Sequence, residues 1–158
     1  MMKEKFINYL RLAVRHHCVY IWGAQGQKVA PLTEDDIRKM ETSEKNTNRV
    51  IQFIMMLEWL GWLTKKTLAF DCSGLICYYL IKVGREKKGF DLTADDLYKR
   101  YPKTDILEPG MLLHRKGHIA CYIGYNHVIE ARGRDWGVVA SPFDKEDWDK
   151  LYANPWVA

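Results

Sequence analysis

The chain has 158 residues, of which 47% are apolar, 13% aromatic and 28% charged, with a net charge of +4. That length suits one domain able to bury about 68–70% of the surface its unfolded chain exposes, and the composition excludes a disordered or low-complexity protein. No run approaches 18 apolar residues, which excludes a spanning helix, and no basic–aromatic alternation marks a nucleic-acid footprint; the mild positive charge suits an anionic polymer or a solvated face.

Residues 3–19 place Phe6, Leu10, Ala13 and Val14 near helical spacing and predict an amphipathic helix. The same stretch is interrupted by Asn8, Arg11 and Arg15 and has no small-residue cleavage site, so it does not read as a secretory signal. Activity outside the cell would then need another way out. Tyr20-Ile21-Trp22-Gly23-Ala24-Gln25-Gly26 reads as a loop whose glycines let backbone approach a neighbour. Thr33 with Asp36 opens a short helix, and residues 47–61 carry a second helical stretch whose Trp59 and Trp62 are expected to pack.

After Phe70-Asp71-Cys72-Ser73-Gly74, the run Leu75 to Val83 is almost wholly apolar, and periodicity allows a buried strand or a buried helix. Thr93 with Asp96 opens another short helix over 93–100. Pro109-Gly110 is a turn, and Met111–Leu113, Ile119–Ile123, Val128–Arg132 and Val138–Ala140 read as short strands. Helices first and strands second imply an α+β class. Among the three C-terminal tryptophans, Trp136, Trp148 and Trp156 either line a groove or close that end over the sheet, and packing is the expectation.

Cys18, Cys72, Cys77 and Cys121 form no CxxC pair and read as reduced thiols. His114 and His118, or His16, His17 and Cys18, lack the clustering of a zinc site, so no metal and no cofactor are expected. Cys72 stands out. If Leu75 onward is a helix, Cys72 sits at its N-terminus, where free amides and the helix dipole favour a thiolate, the nucleophilic form. A lone cysteine among apolar residues is ordinarily a small core residue.

A second pattern lies downstream. A three-residue loop, Gly124 to Asn126, would pair Ile123 with His127 and Ala120 with Glu130, bringing His118 and Glu130 diagonally onto one face. A carboxylate beside a histidine fixes its tautomer, and a histidine so held can take a thiol proton. A surface His–Glu pair of little consequence is the alternative.

Phe70-Asp71-Cys72-Ser73-Gly74-Leu75, followed by Gly117-His118-Ile119-Ala120-Cys121-Tyr122-Ile123-Gly124, resembles the signature of the NlpC-type cell-wall cysteine peptidases. Tyr20-Ile21-Trp22-Gly23 is similar to that family's upstream aromatic–glycine motif, and the stretch Val128 to Val139 to members from phages and prophages of Gram-positive bacteria. The resemblance implies a papain-like α+β fold, with N-terminal helices and the nucleophile helix packed on a C-terminal antiparallel sheet. Its motifs run in order from residue 20 to residue 139, and residues 1–158 are expected to form a single catalytic domain with a helical insertion about 27–69.

The resemblance further implies Cys72 as nucleophile, His118 as general base and then acid, and Glu130 at the orienting position, where His, Asn or Gln is more usual. Tyr20, Asp71 and Ser73 match substrate-holding positions, and the Cys72 amide is a natural oxyanion donor. Met111 stands where an Asp is common. His127, the rival to Glu130 as orienter, falls by parity on the opposite face, and His127 and His114 read as turn and strand-edge residues.

The expected activity is hydrolysis of an amide bond in peptidoglycan stem peptides through a thioester. A CHAP-type amidase and a non-catalytic wall-binding or tail-structural module are the alternatives. The expected partner is the stem peptide, with neither nucleic acid nor membrane. The resemblance also implies synthesis in the cytoplasm and delivery to the wall by a phage tail or a holin. Oligomeric state is not legible.

Overall fold

The computed structural model describes residues 2–157. Its helices are α1 (Met2–Arg15), α2 (Glu34–Met40), α3 (Glu44–Leu60), α4 (Cys72–Lys82) and α5 (Ala94–Arg100). Its strands are β1 (Val19–Tyr20), β2 (Gln25–Lys28), β3 (Leu68–Phe70), β4 (Lys103–Thr104), β5 (Leu112–Arg115), β6 (His118–Gly124), β7 (His127–Gly133), β8 (Gly137–Pro142) and β9 (Tyr152–Ala153). The class is α+β, as expected. None of the described helices is long and apolar enough to cross a membrane.

The expected caps form. At α2 the Thr33 hydroxyl accepts from the Asp36 amide while Asp36 accepts from the Thr33 amide, a reciprocal pair that satisfies two orphan donors. Thr93 does half of the same at α5. The first helix is shorter than expected: it stops at Arg15, and His17 with φ 53° turns the chain into β1.

Six strands in the order β4-β9-β5-β6-β7-β8 make an antiparallel sheet, and β1-β3-β2 make a small mixed sheet in which β1 runs parallel to β3 and β2 antiparallel to it. The apolar run 75–83 is helical. Residues from α4 (Leu75, Ile76, Leu80) and α1 (Phe6, Leu10) share a core with Ile119, Cys121, Ile129 and Ala131 of β6 and β7. Helix on one side and sheet on the other bury most of α4, leaving only Lys82 exposed, which weakens its amphipathic signature. The other face of the large sheet is covered by Trp148, packed with Leu113, Ala120 and Val128.

The segment between Gly26 and Phe70 carries α2 and α3 as expected, and its ends are strands β2 and β3. Ile37, Val50, Ile54 and Leu57 pack there on Val19, Ile21 and Ala69. Trp59 does not pack: it is 86% exposed on α3, while Trp62 stacks on His17 at 4.5 Å.

Candidate active site

Cys72 begins α4, and Asp71 caps that helix by accepting the Gly74 amide at 2.6 Å. The other Asp71 oxygen accepts the Gly23 amide at 3.0 Å, which ties the Trp22–Gly23 loop to the start of α4. Ser73 is buried, with its hydroxyl 3.4 Å from Asp71 Oδ1. Backbone amides of Ile119, Ser73 and Cys72 itself face the Cys72 sulfur. The Ile119 amide sets that sulfur against β6, one residue from His118.

His118 is the first residue of β6, and its Nε2 lies 2.8 Å from Glu130 Oε1. The register Cys121↔Ile129 and Tyr122↔Val128 carries on to place Ala120 opposite Glu130, as expected. The loop that achieves this is different. Tyr125 and Asn126, with φ of 51° and 62°, form a tight two-residue turn, and a bulge at Ile123 supplies the extra residue. The turn matches strand twist and the bulge restores the parity, so two local features replace the single longer loop.

Glu130 is buried, 5% exposed. Burial pushes its carboxyl up, but His118, the Ser141 hydroxyl and the Arg115 charge outweigh that and hold it below the usual carboxylate range. Ser141 Oγ is shielded from solvent and makes no hydrogen bond of good geometry, so its effect on Glu130 is one of proximity. The His118 ring stacks on Trp148 at 5.8 Å, and Arg115 covers the Trp148 ring at 4.6 Å. With Nε2 engaged by Glu130, Nδ1 is the nitrogen left to exchange a proton with a thiol.

The helix N-terminus does not by itself produce a thiolate. Burial, with the Asp71 charge added, pushes the Cys72 thiol up to about 11 against the pull of the three amides. Tyr20 is buried, and its phenol is held well above the usual value by burial first and then by Cys72 and Asp71, so it remains a hydrogen-bond donor. Tyr20, Trp22, Asp71, Cys72 and Ser73 line a cleft of about 320 Å³ that reaches Asp91, Asp95 and Gly117, the residue before His118.

Local pattern did not reveal several neighbours of this site: Trp148 under His118, Ser141 beside Glu130, and Trp22 and Asp91 on the cleft wall. His114 is not a strand-edge residue. It is buried between Asp149 (2.6 Å from Nδ1) and Asp95 (2.7 Å from Nε2), and Asp95 also accepts the Gly117 amide. That set ties the start of α5 to the turn before His118. His127 is exposed and bonds the Tyr125 carbonyl, away from the pair. Of the C-terminal tryptophans, Trp148 and Trp156 pack, whereas Trp136 is half exposed under Arg132. All four cysteines are free, and among the described residues no cluster of His, Cys, Asp and Glu is arranged to hold a metal.

The sequence pattern of the NlpC/P60 family matches residues 58–157. A search of curated proteins finds no match. Among solved structures, the peptidoglycan hydrolase RipB of Mycobacterium tuberculosis is similar at a TM-score of 0.59 and 18% identity, covering 97% of this chain and 66% of that one. The P60 domain of an antigen from M. avium subspecies paratuberculosis is similar at 0.55 and 17%, covering 98% of both chains. NlpC2 of Trichomonas vaginalis is similar at 0.59 and 16%, covering 98% of this chain and 47% of that one. The chain thus spans just under two thirds of RipB and about half of the Trichomonas protein. At these identities the likeness establishes a common fold.

Proposed function

The chain belongs to the NlpC/P60 family, and on that premise we propose that it is a cysteine peptidase hydrolysing amide bonds in the stem peptides of peptidoglycan. The observation that carries this reading is the His118–Glu130 contact of 2.8 Å, on the strand whose Ile119 amide meets the Cys72 sulfur. A thiol held near 11 reacts only when its proton is taken, and the reading assigns that step to His118, the residue before Ile119 on β6.

In this mechanism the Cys72 proton passes to His118 as the sulfur attacks the scissile carbonyl. The Glu130 carboxylate faces the imidazolium that forms, and the Cys72 amide and Tyr20 hydroxyl meet the developing oxyanion. His118 returns the proton to the leaving amine, and the thioester is then hydrolysed by water activated on the same imidazole. Asp71 and Ser73 hold the amino end of the stem peptide. Asp71 caps α4 with one oxygen and bonds Gly23 with the other, leaving lone pairs directed to the cleft. We read the whole chain as one catalytic domain with α2 and α3 as its insertion, delivered to the wall by a phage tail or a holin. That last point rests on the resemblance of Val128 to Val139 alone.

The test compares wild type and Cys72→Ala on purified wall fragments with a chelator present, reading products by mass spectrometry. New amine ends from wild type and none from the variant are expected, and the fragment masses name the bond, separating a peptidase from an amidase. Equal release by both proteins would sink the cysteine mechanism. Sedimentation of both with walls and no release would make the chain a binding module.

A further inference from the structure

Glu41 follows α2, ahead of the residues that match the family pattern, and its side chain is wholly shielded from solvent. A carboxylate so buried needs partners. Arg134, in the turn between β7 and β8, supplies a bidentate pair: Nη2 lies 2.8 Å from Oε1 and Nε 3.0 Å from both oxygens. The amides of Trp22 (3.0 Å) and Thr42 (3.2 Å) complete the set. Burial pushes the Glu41 carboxyl up, yet Arg134 and these amides keep it below the usual range, so it is a fixed anion.

Both arms of this cluster reach the cleft. Trp22 lines it, and the Arg134 guanidinium lies over the Tyr20 ring, 5.4 Å from its centroid. A guanidinium pinned in its own plane by a bidentate carboxylate restrains an aromatic ring beneath it as a single flexible charge cannot. The same turn has a second bidentate pair, Asp135 with Arg49 of α3 at 2.8 and 3.0 Å, but it is exposed and touches no residue of the cleft.

We propose that Glu41 and Arg134 are positioning residues: Glu41 aims Arg134 across the Tyr20 ring and holds the Trp22 amide, so that the segment before the family match sets the Tyr20 hydroxyl at the reacting end of the cleft. This rests on the reading of Cys72 as nucleophile.

The test is steady-state kinetics on a defined stem peptide for wild type, R134K, Y20F, the R134K/Y20F double variant, R49A and C72A, with circular dichroism as a check on folding. R134K and Y20F are each expected to lower kcat about tenfold with KM within about twofold, and the double variant to be no worse than Y20F alone. R49A, which unfastens the same turn without touching Tyr20, is expected to stay within about twofold of wild type. If R134K does not fold, E41D, which keeps the charge but shortens the reach, replaces it in the cycle. Wild-type kcat in R134K, losses that multiply in the double variant, or an equal loss in R49A would each overturn the proposal. C72A inactive beside an unimpaired R134K overturns this inference alone; an active C72A overturns the cysteine reading and this inference with it.

Discussion

Cys72 is held between opposing influences: three amides favour the anion, and burial with Asp71 opposes it and wins. On the proposed reading the thiol depends on His118 for its reactivity, which alkylation can read directly. Below about 11, the thiol's own value, iodoacetamide should modify Cys72 faster in wild type than in H118A, because His118 takes the proton as the sulfur attacks, with the two rates converging as pH approaches that value. Superimposed profiles would remove His118 as the base. The proposed reading puts Glu130 in the orienting position, and E130Q retains an acceptor for the His118 ring. Its kcat should fall about tenfold or less, against about 100-fold or more for E130A. The carboxyl also carries a pH signature. Its native pKa lies below 4.5, so its contribution to stability is complete above the unfolded value and is lost as pH falls through the native one. The Tm difference between wild type and E130Q should be constant near neutrality and close in acid.

Helix α4 and the β6–β7 hairpin were legible to different degrees. Caps at Thr33 and Thr93 lie within three residues of their partners and were readable directly. The state of Leu75–Val83 was not, because the segment is mostly buried and Lys82 is its one charged residue, too little of a polar face to set a period. Likewise, parity put His118 and Glu130 on one face, but the turn at Tyr125-Asn126 and the bulge at Ile123 could not be told from a longer loop with the same register. Gly74 shows how tightly α4 is seated. A Cβ there would run into the Ala24 carbonyl oxygen and stand 2.7 Å from Asp71 Oδ1, and both are held in place, since Ala24 accepts the Asp71 amide. G74A should cost about 1–3 kcal/mol and lower Tm by roughly 3–10 °C, with activity falling alongside because the cap at Cys72 shifts. A thermal melt unchanged from wild type would mean that the loop bearing Ala24 yields freely.

Across the whole molecule the thiols are free rather than bridged, with Cys18, Cys77 and Cys121 buried in the core and Cys72 half-buried at the cleft. Cys18, Cys72 and Cys77 are each pushed up to about 11, chiefly by burial, and burial also raises Cys121 well above the ordinary thiol value. A raised native pKa means that stability is intact below the unfolded value of 9.0 and drains as pH rises through the native one. Tm should therefore drop steeply between pH 9 and 11, and C77A should flatten that slope; a slope unaltered in C77A would assign the loss to other groups. The amino-acid sequence by itself determined the chemical inventory, the α+β order and the candidate trio of Cys72, His118 and Glu130. Caps, turns and strand alternation act over a few residues, and so they are written locally. Tertiary structure alone decided that Trp148 lies under His118, that His114 bridges Asp95 and Asp149, and that Glu41 reaches Arg134 across 93 positions. Such contacts depend on how separate elements bury one another's surfaces, and no local period records that.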